Sequence, residues 1–105
     1  MTRDQVQVWL AAREPAPPAV LAERLRHALD AASEAALAGT GMAGTMGTLG
    51  IVTLAGLRDR QAQGEGVALD LLAADAFVTY AFEAAAEEGS DVMVLAQRLL
   101  KEVRA

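Results

Sequence analysis

Apolar residues recur along much of this chain at the three- and four-residue spacing of helices with one buried face. Val6, Trp9 and Leu10 share a face near the start. Thr2 and Gln5 have the spacing of a capping box, and Asp4 adds an anion to the first turn, where the helix dipole favours one. These features predict a short first helix over 2–13. The segment Glu14-Pro15-Ala16-Pro17-Pro18 must interrupt it, because proline restricts the residue before it and has no amide hydrogen to donate. Pro18 suits the first position of a second helix. From Ala19 to about Ala38, Leu21, Leu25, Ala28, Leu29, Ala32 and Ala36 form one stripe, with Glu23, Arg24, Arg26, Asp30 and Glu34 mostly off it.

The pattern then changes. Ala35 to Leu57 contains no charged residue, and Gly41, Gly44, Gly47 and Gly50 follow one another at intervals of three. Glycine costs about 1 kcal/mol against alanine inside a helix. The expectation is therefore a glycine-rich connection around 39–47, with a third helix from about Thr48 to Gln63. The β-branched residues at Ile51, Val52 and Thr53 leave a strand as the alternative. Gly64-Glu65-Gly66 reads as a turn. From Val67 to Glu88, large residues point nearly all round the helical wheel, the pattern of a central helix packed on several sides. Gly89 stops that helix and Ser90 is placed to cap the last one, Asp91 to about Val103, whose Val92, Leu95, Ala96, Leu99 and Val103 share a face. So short a link makes the last two helices an antiparallel hairpin.

The elements sum to an all-α fold: a small irregular bundle of four to five helices with a Gly-rich central connection. At 105 residues the chain is expected to form a single helical domain over 1–105, with a short N-terminal helix at 2–13, a Pro-rich linker at 14–18 and the bundle at 19–105. Alanine supplies much of the 53 % hydrophobic content while aromatics are 4 %, so close helix packing with modest burial per residue is expected.

Charge narrows the function. A net charge of −5 opposes phosphate backbones, and the cations Arg24, Arg26, Arg58, Arg60, Arg98 and Lys101 are scattered without interleaved aromatics, so no nucleic-acid partner is expected. Without cysteine there are no disulfides, thiolate metal sites or cysteine nucleophiles. Thr2-Arg3-Asp4-Gln5 lacks the basic start and apolar core of a secretory signal, and the expectation is a cytoplasmic protein. The abundance of alanine, leucine, arginine and glutamate points to a bacterial genome rich in G and C.

Candidate chemistry is sparse. Gly39-Thr40-Gly41-Met42-Ala43-Gly44 spells G-x-G-x-x-G, but a dinucleotide fingerprint needs a strand before it and a helix after it. Glu23 and His27 are one turn apart, yet a single histidine per chain is too few for a bundle metal site. No cofactor and no metal are therefore expected. Asp75 lies at the middle of the most apolar predicted helix, with Leu71, Thr79, Phe82 and Ala86 around it on the wheel. A carboxylate there is either desolvated or paired with a cation, Arg58, Arg60 or His27, and is a candidate to grip a ligand or a partner's basic group. Tyr80 and Trp9 are candidates to line the same pocket, although a lone tryptophan on a short terminal helix more often anchors that helix. Ser33 and Ser90 read as surface and cap residues, and no nucleophile stands beside a base. Glu83, Glu87 and Glu88 read as a solvated acidic helix end.

The expected function is a non-enzymatic module for protein–protein interaction or self-assembly, working as a homo-oligomer or on a protein partner. The mean hydropathy of +0.25 is high for so small a bundle, and an exposed apolar patch would mark the interface. Two alternatives stand beside it. One is a membrane-associated protein using the uncharged segment 35–57, which has the length of a span and small residues at regular spacing. The other is a small-molecule-binding bundle with a pocket around Asp75.

Overall fold

The fold is described for residues 1–38, 41–60 and 65–104 in a computed structural model of the chain. Six helices follow one another there: α1 (Arg3–Ala11), α2 (Ala19–Ala31), α3 (Glu34–Leu37), α4 (Gly41–Arg60), α5 (Glu65–Glu88) and α6 (Val92–Arg104). No strand occurs among the described residues. The protein is all-α, a small helical bundle. The turn expected at Gly64 lies outside the described residues, and Glu65 and Gly66 already belong to α5.

α1 begins as its sequence requires. The Gln5 amide donates to Thr2 Oγ1 at 3.1 Å, and the Thr2 amide donates to Gln5 Oε1 at 2.8 Å, which completes the capping box. Val6 and Leu10 enter the core. α1 ends at Ala11, and the proline segment leads to α2, whose cap is Pro18 rather than its first helical residue.

The stripe from Ala19 to Ala38 predicted one helix, but the structure divides it into α2 and α3. Ala32 is extended, and Ser33 Oγ accepts from the Ala36 amide at 3.1 Å, so Ser33 starts a new helix instead of continuing the old one. Arg3 takes up the carbonyls left open at the end of α2. It donates through Nε to Leu29 O at 3.1 Å and through Nη2 to Ala32 O at 2.5 Å. The bend allows Ala36 and Leu37 to be buried.

The glycine-rich segment is the larger correction. It was expected to connect two helices, yet from Gly41 onward it is the first half of α4, a helix of 20 residues. Glycine is used there for proximity. A Cβ on Gly47 would stand 2.9 Å from Leu99 Cδ2, and one on Gly50 would stand 2.9 Å from Val78 Cγ2. The backbone of α4 thus approaches α5 and α6 so closely that a side chain at either position would require its neighbour to shift, and the packing gained offsets the poor helix propensity. Hydroxyls along α4 are satisfied internally: Thr45 donates to Gly41 O at 3.0 Å, Thr48 to Gly44 O at 3.0 Å and Thr53 to Leu49 O at 2.8 Å. The strand alternative for 51–53 is excluded by the same helix. Gly39 and Thr40 lie outside the described residues, so the G-x-G-x-x-G stretch is described only from Gly41, inside α4.

α4 and α5 form a long antiparallel pair, and α5 faces α2, α4 and α6 as a central helix. Its small residues Ala73, Ala81, Ala84 and Ala85 are buried together with Phe77, and Met46, Leu49 and Leu37 fill the space opposite. Gly89, at φ +73°, ends α5. The cap of α6 is Asp91, one residue later than expected: its Oδ1 accepts from the Met93 and Val94 amides at 2.9 and 3.3 Å. α6 returns antiparallel to α5, as so short a link demands.

Candidate apolar groove between α4, α5 and α6

α6 buries Leu95 and Leu99 against the α4–α5 pair, but this contact covers only one edge of its apolar face. Beside that edge runs a groove of about 500 Å³. Gly50, Ile51 and Leu54 form its floor from α4. Leu71, Ala74, Val78 and Phe82 come from α5, and Ala96, Leu100 and Val103 from α6. The α5 residues follow the spacing of one helical stripe, so their convergence is a consequence of the backbone period. The exposure is substantial: Leu71 is 53 % and Leu100 55 % accessible, and Val103 is 39 %.

Asp75 is the one charged residue among those that line the groove. It stands between Leu71 and Val78 on α5, and the neighbours expected for it from the wheel, Leu71 and Phe82, are indeed there. Its environment is not the expected one, however. Asp75 is exposed rather than desolvated, because its stripe of α5 faces the groove instead of the core. Nor is it paired. None of the described side chains, Arg58 and His27 among them, makes an ion pair or hydrogen bond with it. His27 Nδ1 instead lies 3.1 Å from Arg24 Nη1.

The carboxylate that α5 does bury is Asp70, 6 % accessible, which accepts a hydrogen bond from Arg24 Nε across the α2–α5 contact. The sequence reading missed it. Asp70 lies five residues from Asp75, on a different face of a helix that is apolar nearly all round, and the wheel gives no sign of which face meets α2.

Tyr80 and Trp9 do not join Asp75. Tyr80 borders a separate hollow with Leu10, Pro17 and Leu25, and Trp9 lies on the α1 side of the bundle. The two meet each other, with ring centroids 5.9 Å apart in an edge-to-face arrangement. Trp9 Nε1 donates to Glu87 Oε1 at 3.1 Å, Arg13 Nη1 donates to Glu87 Oε2 at 2.8 Å, and the Arg13 guanidinium lies 3.5 Å from the Trp9 ring centroid. This set fastens α1 to the end of α5, which is an anchoring arrangement. Hydrogen bonding from Arg13 holds the Glu87 carboxyl below its ordinary range. Burial, reinforced by the nearby Glu83 carboxylate, pushes the Tyr80 hydroxyl up.

The acidic end of α5 is likewise more than a solvated tip. Glu88 Oε1 accepts from the Met42 and Ala43 amides at 2.8 and 3.1 Å, so this side chain caps α4 from another helix. Arg98 ties α6 to α4 through Thr48 Oγ1 at 2.7 Å and Gly44 O at 3.4 Å. Among the described residues no cluster of acidic and histidine side chains is arranged to hold a metal. No helix among them is long and apolar enough to cross a membrane. The segment 35–57, considered above as a span, is instead divided between α3 and α4, with Leu37, Met46 and Leu49 buried in the bundle.

No protein-family model, no curated protein sequence and no solved structure matches this chain.

Proposed function

We propose that the chain is a non-enzymatic interaction module that binds a protein through the α4–α5–α6 groove. The observation that carries this reading is the exposed apolar patch formed by Leu71, Leu100 and Val103 around an open groove. These side chains are about half exposed, so each forfeits about half of the roughly 1.5–3 kcal/mol that full burial is worth. A contiguous patch of this kind marks an interface more often than a scatter of single exposed side chains does. The open shape suits a helix laid lengthwise, whose anchors recur every three or four residues. Photo-crosslinking in the native cells tests it. A photo-reactive residue in place of Leu100 is expected to give a covalent protein adduct, and one in place of Glu23, on α2, none. Equal labelling from both positions, or none from Leu100, contradicts the reading.

A second reading has its own support. The groove volume falls within the range of small-molecule sites, about 300–1,000 Å³, and one carboxylate in an apolar setting would select an apolar amine. Isothermal titration with a long-chain alkylamine distinguishes it: saturable binding that is lost in Asp75→Asn supports the small-molecule reading.

A further inference from the structure

One anion lines the groove and one cation follows it on α6 by helical spacing, and neither makes an ion pair with a described residue. Asp75 lines the α5 wall and makes no ion pair with any described residue. On α6, Leu100 and Val103 line the groove, and Arg104 follows Leu100 by four residues, which places it on the same side of the helix. Arg104 is exposed and makes no ion pair with any described residue. The other α6 arginine is engaged, since Arg98 bonds Glu102 and Thr48.

A twofold axis sets a patch against a rotated copy of itself. A patch with one sign of charge repels its copy. A patch with an anion on one wall and a cation on the other, separated by apolar residues, is complementary to its copy. We therefore propose that the occupant of the groove is a second copy of this chain. In this arrangement the Leu100–Val103 edge of each α6 lies in the groove of the other copy, and Arg104 pairs with the partner's Asp75. The proposal rests on the interaction-module reading and names its partner. It also gives Asp75 the role of gripping a basic group, supplied by the same sequence.

Charge reversal tests it, because both residues are exposed and their substitution leaves the core intact. Sedimentation equilibrium from micromolar to submillimolar concentration is applied to the wild type, Asp75→Arg, Arg104→Asp and the double reversal, with circular dichroism to verify the fold of each. The wild type is expected to dimerise. Each single reversal sets like charges against each other and should weaken the dimer about tenfold or more. The double reversal exchanges the partners and should recover most of that loss. A wild type that stays monomeric, or a dimer indifferent to both single reversals, overturns the proposal. An apolar fluorescent dye added to the same samples separates the two levels of the argument. A monomer that binds the dye, and loses it in Leu100→Glu, keeps the groove as a docking surface for another protein while excluding self-association. A monomer that binds no dye removes the interaction-module reading as well.

Discussion

Gly50 of α4 lies so close to Val78 of α5 that a Cβ on the glycine would stand 2.9 Å from Val78 Cγ2, and 3.3 Å from the Ala74 carbonyl oxygen. Backbone cannot give way as a flexible side-chain tip can. Gly50→Ala therefore loses by overpacking more than the roughly 1 kcal/mol it gains in helix propensity, and a net destabilisation of about 1–3 kcal/mol is expected. Among the described residues, nothing lies within 4 Å of a Cβ placed on Gly56 of the same helix. Gly56→Ala is expected to stabilise the protein by up to about 1 kcal/mol. Urea denaturation of the two variants checks the contrast, and equal effects of the same sign would be inconsistent with close α4–α5 packing at Gly50.

Asp70 and Arg24 form the one buried carboxylate–guanidinium contact among the described residues. Removing the cation takes the Arg24 hydrogen bond away from a carboxylate that is 6 % accessible. Arg24→Met should cost about 1.5–3 kcal/mol, the range for a hydrogen bond to a charged group, and Arg24→Met combined with Asp70→Leu should cost less. Thermal melts of the single and double variants measure this. A double variant as unstable as the single one would show that the damage comes from repacking rather than from the lost Arg24–Asp70 contact.

Glu87 carries the pH response of the α1 anchor. Its carboxyl is held below its ordinary range in the folded protein, so folding favours the ionised form. That contribution is complete above the ordinary carboxylate range and is lost as pH falls through the lowered value. Acidification should therefore release Trp9 from Glu87 and change tryptophan fluorescence before the bundle itself unfolds. Glu87→Gln should abolish this early transition, and its persistence in that variant would assign it to another group. Tyr80 acts at the opposite end of the scale. Its hydroxyl is pushed up, so its contribution is present below the ordinary tyrosine value and is lost as pH rises through the raised one.

The all-α class and the positions of α1, α2, α5 and α6 were legible because each of those helices carries either a one-sided stripe or clear stop and start residues. α4 was not. Helix propensity is a property of each residue alone, whereas the reason for Gly47 and Gly50 is Leu99 and Val78, which lie far away in the chain. The division between α2 and α3 was hidden for a similar reason, since the Ala32 carbonyl is satisfied by Arg3, 29 residues earlier in the chain. Of the candidate site, Asp75 and its apolar neighbours were legible from the α5 period. Leu100 looked like any other apolar residue of α6, because the periodicity of a helix does not show how much of its apolar face the fold will cover. Tyr80 and Trp9 were grouped with Asp75 by residue type, and the fold separates them.

The most direct test of the groove as an interface is the urea midpoint of the wild type and of Leu71→Gln/Leu100→Gln, each measured over a range of protein concentrations. Association adds to apparent stability by mass action. The wild-type midpoint should therefore rise with concentration, while that of the variant stays fixed. At high dilution the two proteins should agree within about 0.5 kcal/mol, as expected for residues that serve a partner rather than the fold. A wild-type midpoint that does not move, with a variant about 2 kcal/mol less stable at every concentration, would show that Leu71 and Leu100 serve the fold and would contradict the account.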